Sequence, residues 1–203
     1  MAWFINDFKH CHFILASASP RRSELLRMVG FPFDIIPSHI NEKYQNHITP
    51  IDYVLQNARH KGDSVAKQYP ESIVIAADTV VVFKNDLLEK PRNKRHARQL
   101  LHKLSGQTHQ VYTGFGLINR AHDKTKFEYE KTDVTFRVLS DQLIEWYLET
   151  GEPYDKAGAY GAQGKGALLI ECVRGCYFNV VGLPLSKFFY VLNEFLMKNS
   201  MVG

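Results

Sequence analysis

Short apolar runs alternate along the chain with stretches in which apolar residues recur every three or four positions. This alternation predicts an α/β fold. The predicted strands cover residues 13–16, 33–36, 73–83, a short return after 84–86, 109–118, 127–138 and 167–173. The predicted helices begin near residues 20 and 50 and then cover residues 93–104, 140–149 and 184–197.

Capping residues mark the first two helices. Ser19 precedes Pro20, which is a typical N-cap followed by proline at the first helical position, and Gly30 is a suitable stop. Thr49 and Asp52 have the spacing of a capping box. The pattern therefore predicts both the order of the elements and several of their ends.

The chain has 203 residues, of which 45% are hydrophobic, and this suits one ordinary domain. We expect residues 1–11 to be an N-terminal extension and residues 12–203 to form a single α/β domain. No apolar run approaches the roughly 18 residues of a membrane span. The three cysteines form no C-x-x-C pair, so reduced thiols in a cytoplasmic protein are the simplest interpretation.

The net charge of +4 favours an anionic ligand. A basic stretch at residues 90–103 raises the alternative of a nucleic-acid-binding module, but such a helix is usually a solvated face. The charge is too small and too scattered to favour nucleic acid. A small anion is the better prediction.

The first candidate site lies at residues 16–22, where a strand ends and a helix begins. A helix N-terminus presents backbone N–H groups and a positive partial charge, which suit a phosphate group. Ser17, Arg21 and Arg22 add hydroxyl and guanidinium donors. The alternative is a capped helix with two solvated arginines.

Asp78 is the second candidate, because it interrupts an apolar, β-branched run at residues 73–83. A carboxylate is costly to bury unless it is paired or binds a metal. The alternative is that Asp78 lies on the wet face of its strand. Glu42 resembles any exposed turn residue and matters only as a possible second carboxylate for a divalent cation.

Lys61 and Lys90 could neutralise phosphate charge, but for each lysine taken alone a solvated position is the better interpretation. Residues 151–166 contain five glycines, which let a backbone approach a ligand closely. A loop of this length without secondary structure is usually functional. Gln163, within it, can donate to and accept from a base edge. The segment fits neither a Walker A loop nor a Rossmann fingerprint.

Taken in order, these motifs resemble the Maf nucleotide pyrophosphatase family over residues 13–194. The matching blocks are residues 16–22 (ASASPRR), 77–79 (ADT), 89–91 (EKP), 104–111 (LSGQTHQV), 155–161 (DKAGAYG) with Gln163, and 179–184 (NVVGLP). The resemblance implies a Maf/ITPase-like α/β fold with a mixed central sheet flanked by helices and two lobes with a cleft between them. It also implies a cytoplasmic homodimer.

The same resemblance implies hydrolysis of dTTP and UTP to the monophosphate and pyrophosphate, a house-cleaning reaction on nucleotide pools. Asp78 would be the proton acceptor and, with Glu42, would bind a divalent cation (Mg²⁺, Mn²⁺ or Co²⁺). The phosphate contacts implied by the resemblance are Ser17, Arg22, Lys61 and Lys90, and the residues that set substrate specificity are Arg21, Thr79 and Gln163.

Two alternatives remain open on the sequence. The family has another branch that acts on 7-methyl-GTP, and Gln163 is the discriminating feature. A non-catalytic nucleotide sensor or division regulator would bind without turnover, yet such a protein could lose Asp78 or Lys90 at no cost, and both are present. The chain departs from the family at Asn41, where an acid is common, at Gly62, where alanine is expected, and at Ala162, which replaces a larger apolar residue beside Gln163.

Overall fold

The computed structural model describes Phe8 and residues 11–40 and 48–197. Its strands are β1 (Phe13–Leu15), β2 (Asp34–Ile35), β3 (Ile73–Phe83), β4 (Asp86–Leu88), β5 (Thr108–Asn119), β6 (Lys124–Phe136) and β7 (Ile170–Arg174). Its α-helices are α1 (Pro20–Met28), α2 (Pro50–Ala66), α3 (Lys94–Leu104), α4 (Asp141–Glu149), α5 (Tyr177–Val181) and α6 (Leu185–Met197).

One mixed sheet connects the seven strands, in the order β2-β1-β3-β5-β6-β7, with β4 paired to β3. Strand β1 runs parallel to β2 and β3, and its Leu15 lies opposite Ile35 and Ile75. Strand β4 is antiparallel to β3, and β7 is antiparallel to β6. The predicted mixed α/β fold is therefore confirmed.

The chain divides into two compact units. Unit 1 comprises residues 1–78, 114–129 and 182–203, and unit 2 comprises residues 79–113 and 130–181. The two predicted lobes correspond to these units, while the cleft stays a prediction.

Unit 1 has an apolar core between β1, α2 and the first half of β3. The buried members of one cluster are Ile14, Ala16, Val65, Ala66, Val74, Ala76 and Ile118. Helix α2 begins where the capping box predicted, because Thr49 Oγ1 accepts from the Asp52 N–H at 3.1 Å. Gly62 is explained by close packing, since a Cβ there would lie 3.1 Å from the Ala76 Cβ.

Unit 2 has its own core, formed where α3 and α4 pack on the second half of the long strands. Its largest fully buried side chains include Phe136, Leu101, Leu104 and Tyr147. The basic groups of α3 pair with acids: Arg98 contacts Glu145, and Lys103 Nζ lies 2.9 Å from an Asp86 carboxylate oxygen. The face that suggested nucleic-acid binding is thus partly neutralised.

Three element predictions need correction. The glycine-rich segment is not without secondary structure, because it forms 3₁₀ helices at Glu152–Asp155, Ala157–Ala159 and Gly164–Leu169. Because the last of these helices extends to Leu169, β7 begins at Ile170 and not at residue 167 as the sequence predicted. Helix α5 was not predicted. Among the described helices, none is both long and apolar enough to cross a membrane.

Candidate functional site

Asp78 lies in β3 at the end of the part that belongs to unit 1, and it is only 5% exposed. Its Oδ1 accepts from Lys61 Nζ at 2.7 Å, and its Oδ2 accepts from Asn57 Nδ2 at 3.0 Å. The alternative of a solvated strand face is therefore wrong. A carboxylate that is buried and paired in this way has both oxygens held in a fixed orientation, as a proton acceptor or metal ligand requires.

Helix α2 supplies both partners because residues four apart lie on the same face of a helix. Asn57 and Lys61 have that spacing, and both lie along the edge of the apolar face that packs on the sheet. Sequence reasoning missed Asn57. The available signal was a polar side chain one position before Ala58, on the side of the helix predicted to be buried.

Ser17 and Arg22 are brought into contact at the end of β1. Arg22 Nη1 donates to Ser17 Oγ at 3.1 Å, and Arg22 Nε donates to the Gly182 carbonyl at 2.9 Å. Both side chains are buried, whereas Arg21, one position earlier in α1, is half-buried. Arg22 is therefore held in place and is not the solvated group of the alternative interpretation.

The register of the parallel strands places this pair and Asp78 at the same edge of unit 1. Leu15 pairs with Ile75, so Ser17 and Asp78 follow those positions by two and three residues. Ligands of α/β proteins bind outside the carboxyl ends of parallel strands. Ser19 caps α1 in extended conformation without a side-chain hydrogen bond to the helix.

The second predicted metal ligand, Glu42, and the atypical Asn41 lie outside the described residues. In the part of the chain that the structure describes, no group of three or more His, Cys, Asp or Glu side chains is arranged to hold a metal ion. Mg²⁺ is commonly bound through one or two carboxylates together with substrate phosphates and water. The oxygen donors of Asp78 fit that mode.

Unit 2 contains the other predicted residues. Thr79 is half-buried, and its Oγ1 lies 2.9 Å from Thr113 Oγ1, which in turn donates to the Asn179 carbonyl at 3.0 Å. Lys90 is exposed and Gln163 is half-buried. Thr113 was not singled out by the sequence, because a threonine in a strand is an ordinary β-former, and Asn179 entered only as the first residue of the block at 179–184.

The glycine-rich segment is fixed by a carboxylate. Glu152 accepts from the backbone N–H groups of Lys165 and Gly166 at 3.1 and 3.3 Å, while the Gly161 N–H donates to Tyr147 Oη at 3.1 Å. The Gly158 N–H also donates to the Glu89 carbonyl at 3.2 Å, one residue before Lys90. Backbone that carries Gln163 and backbone that carries Lys90 are thus both tied down in unit 2.

A buried histidine supports the same segment. His109 Nε2 lies 2.7 Å from Tyr160 Oη, and both rings pack edge-on against Phe136. Among the described residues, His109 Nδ1 has no hydrogen-bond partner. Burial lowers the pKa of His109 from 6.5 to about 4, and burial also raises the pKa of Tyr160. His109 is therefore neutral at physiological pH and serves packing rather than acid–base chemistry.

Comparisons with known proteins agree over most of the chain. The family model described as Maf-like protein matches residues 12–195. A dTTP/UTP pyrophosphatase of Clostridioides difficile (strain 630) is 49% identical over 94% of this chain and 98% of that protein. A dTTP/UTP pyrophosphatase of Bacillus anthracis (strain CDC 684 / NRRL 3495) is 46% identical over 90% of this chain and 94% of that protein.

Among solved structures, the Staphylococcus aureus Ham1 protein is similar over 62% of this chain and 71% of that chain. The TM-score is 0.43 and the sequence identity 14%. This likeness is weak, and the matches in sequence are the informative ones.

Proposed function

The chain belongs to the Maf-like protein family, and on that premise we propose that it hydrolyses dTTP and UTP to the nucleoside monophosphate and pyrophosphate. The substrates follow from the names of relatives that are 46% and 49% identical. The observation that carries the reaction class is the buried Asp78 carboxylate, held by Lys61 and Asn57 at the end of a parallel strand. The physiological role would be removal of unwanted nucleotides from the pool.

Asp78 is the proposed proton acceptor. Its two oxygens each receive one hydrogen bond, and a carboxylate oxygen has a further lone pair available to orient a water molecule. That water attacks the α-phosphorus, the bond from this phosphorus to the bridging oxygen breaks, and pyrophosphate leaves. Asn57 has a positioning role, because it fixes the carboxylate without carrying charge.

The phosphate contacts proposed are Ser17, Arg22, Lys61 and Lys90. The hydrogen bonds to Ser17 and to the Gly182 carbonyl fix the orientation of the planar Arg22 guanidinium. A planar group held in this way suits recognition of phosphate oxygens. Lys61 is held beside Asp78 by the hydrogen bond from its Nζ to Asp78 Oδ1, so its positive charge lies at the same edge. These cations offset the charge that develops as pyrophosphate leaves.

A divalent cation (Mg²⁺, Mn²⁺ or Co²⁺) would be held by Asp78 and Glu42 and would supply further charge neutralisation at the phosphates. Arg21, Thr79 and Gln163 are the residues proposed to select the base. A homodimer and a cytoplasmic location are the family-level expectations for this chain.

The first test is pyrophosphate release from dTTP, UTP, CTP, GTP and 7-methyl-GTP, with and without a chelator. We expect release from dTTP and UTP that the chelator abolishes. Turnover of 7-methyl-GTP alone would keep the family and overturn the substrate assignment. A folded protein that binds these nucleotides but releases nothing would support the binding-only alternative.

Asp78→Asn tests the catalytic assignment. We expect turnover of UTP to fall by orders of magnitude, about 10²-fold or more, because the variant removes the proton acceptor. Asp63→Asn is the matched control, since Asp63 lies on α2 and pairs at the surface with Arg120 Nη2 at 3.0 Å. Near-normal turnover in Asp78→Asn, with circular dichroism showing a folded protein, would sink the assignment.

A further inference from the structure

A chain of hydrogen bonds in unit 2 leads from the backbone at Asn179 to the side chain of Thr79. Thr113 Oγ1 donates to the Asn179 carbonyl at 3.0 Å and lies 2.9 Å from Thr79 Oγ1. A carbonyl oxygen can only accept, so the single hydroxyl proton of Thr113 is committed to Asn179. The bond between the two threonines therefore has one direction, in which Thr79 donates and Thr113 accepts.

The far end of this chain is locked. Asn179 Nδ2 donates to the Val111 carbonyl at 3.0 Å and to Thr132 Oγ1 at 2.9 Å. Thr132 in turn donates to the Cys176 carbonyl and accepts from the Cys176 N–H, each at 3.1 Å. Turning the amide over would set its oxygen against the Val111 carbonyl, acceptor against acceptor. Thr113, Thr132 and Asn179 are all 0% exposed, so water does not compete for these bonds.

The consequence is a fixed polarity at Thr79. Its one proton points to Thr113, so its oxygen can meet any other group only as an acceptor. Uracil and thymine carry one donor on their pairing edge, the N3–H group. Cytosine carries a lone pair at N3 instead. An acceptor-only hydroxyl therefore fits uracil and thymine and opposes cytosine at this position.

We propose that Thr113 is a positioning residue for base selection, which holds the Thr79 oxygen as an acceptor for the N3–H of uracil or thymine. This inference rests on the proposed function, in which Thr79 is one of the residues that select the base. Thr113 itself does not contact the base. Its effect is carried by the direction of one proton, which the Asn179 carbonyl determines.

The test compares kcat/KM for UTP and CTP in the wild-type protein, Thr113→Val and Thr113→Ser. In Thr113→Val the Thr79 hydroxyl loses Thr113 as its acceptor, and its proton can turn toward cytosine N3. We expect the UTP-to-CTP ratio to fall by about tenfold or more. Thr113→Ser keeps a hydroxyl and should restore the wild-type ratio. If Thr113 had a merely structural role, its loss would lower kcat/KM for UTP and for CTP by the same factor and leave their ratio unchanged.

Two controls test whether the effect passes through the hydrogen bonds that join the Asn179 carbonyl, Thr113 and Thr79, which we call the relay. Thr108→Val removes a hydroxyl from the other threonine pair of β5, where Thr108 Oγ1 lies 2.8 Å from Thr135 Oγ1 at the surface, and should leave the ratio unchanged. In a Thr79→Val background, Thr113→Val should change the ratio by less than about twofold, because the group it orients is gone. If Thr113→Val does not fold, Thr113→Ala provides the same loss of the hydroxyl with less bulk.

A ratio within about twofold of wild type in folded Thr113→Val, or a Thr113→Ser protein that behaves like Thr113→Val, would overturn the proposal. Should the wild-type protein release no pyrophosphate from any nucleotide, the proposed function fails. The relay is then decided separately by isothermal titration calorimetry of UTP and CTP on the same variants, where the ratio of the two Kd values replaces the ratio of kcat/KM.

Discussion

Lys61 and Asp78 form a buried ion pair, with side chains 12% and 7% exposed, in which each charge compensates the other. Removing one partner of such a pair leaves a buried charge without compensation, which commonly costs about 3–5 kcal/mol. We therefore expect Lys61→Met to lower the free energy of unfolding by about that amount, measured by urea denaturation. Lys61→Arg keeps the charge and should cost less.

The double variant Lys61→Met with Asp78→Asn separates stability from catalysis. It leaves no buried charge unpaired, so we expect it to regain much of the stability that Lys61→Met loses. Turnover should remain as low as in Asp78→Asn alone. A double variant that is less stable than Lys61→Met would contradict the pairing as the origin of the cost.

Single residues were predicted from sequence where their type conflicts with their surroundings. Asp78 could be identified because a carboxylate amid alanine and β-branched residues is costly. Its partner Asn57 was missed, because the contact joins positions 21 apart and forms only when α2 packs on the sheet. Thr113 was equally hidden, since its importance lies in the direction of a hydrogen bond rather than in its residue type.

At the scale of elements, the long strands and helices were predicted to within a few residues, because periodicity and capping extend over many positions. The glycine-rich segment was not. Its 3₁₀ helices depend on Glu152, which accepts from the backbone of Lys165 and Gly166, more than ten residues away. Local glycine content indicates freedom of the backbone but not the conformation that a distant carboxylate selects.

Helix α2 approaches β5 so closely that one position must be glycine. A Cβ on Gly114 would lie 2.6 Å from the backbone carbon of Val54 and 2.9 Å from the Leu55 nitrogen. Backbone cannot rotate away, so the helix that carries Asn57 and Lys61 would have to shift. We expect Gly114→Ala to lower the thermal midpoint by several degrees, corresponding to about 2 kcal/mol, and to reduce turnover as well.

A glycine at which an added Cβ would meet no neighbouring atom provides the control for Gly114→Ala. Gly30 has φ +67° but no atom within 4 Å of an added Cβ, so Gly30→Ala tests strain alone. We expect it to cost about 1 kcal/mol and to leave turnover unchanged. A Gly114→Ala protein as stable and as active as Gly30→Ala would show that α2 tolerates the displacement.

At the scale of the whole molecule, the division into two units was expected only from the family resemblance. Three of the four borders fall inside β3, β5 and β6, between Asp78 and Thr79, between Thr113 and Gly114, and between Tyr129 and Glu130. A strand of 11–13 residues gives one continuous hydrophobic pattern, so periodicity cannot show that its two halves join different cores. The proposed proton acceptor Asp78 and the proposed base-selecting residue Thr79 are consequently neighbours along β3 but belong to different units.

Stability of the whole molecule should depend on pH through His109. In the unfolded chain its pKa has the ordinary value of 6.5, whereas burial lowers the folded-state pKa to about 4. Between those values the unfolded state binds more protons, so stability is complete above pH 6.5 and is lost as the pH falls toward 4. The expected loss from this residue between pH about 7 and about 5 is about 2 kcal/mol.

His109→Gln isolates that contribution from the acids that titrate at lower pH. The variant is expected to be less stable than wild type at pH about 7, because Tyr160 loses its buried partner, but to lose less stability on acidification. Urea denaturation of both proteins across this range measures the difference in slope. Parallel pH dependences would contradict the prediction, because they would show that folding does not lower the pKa of His109.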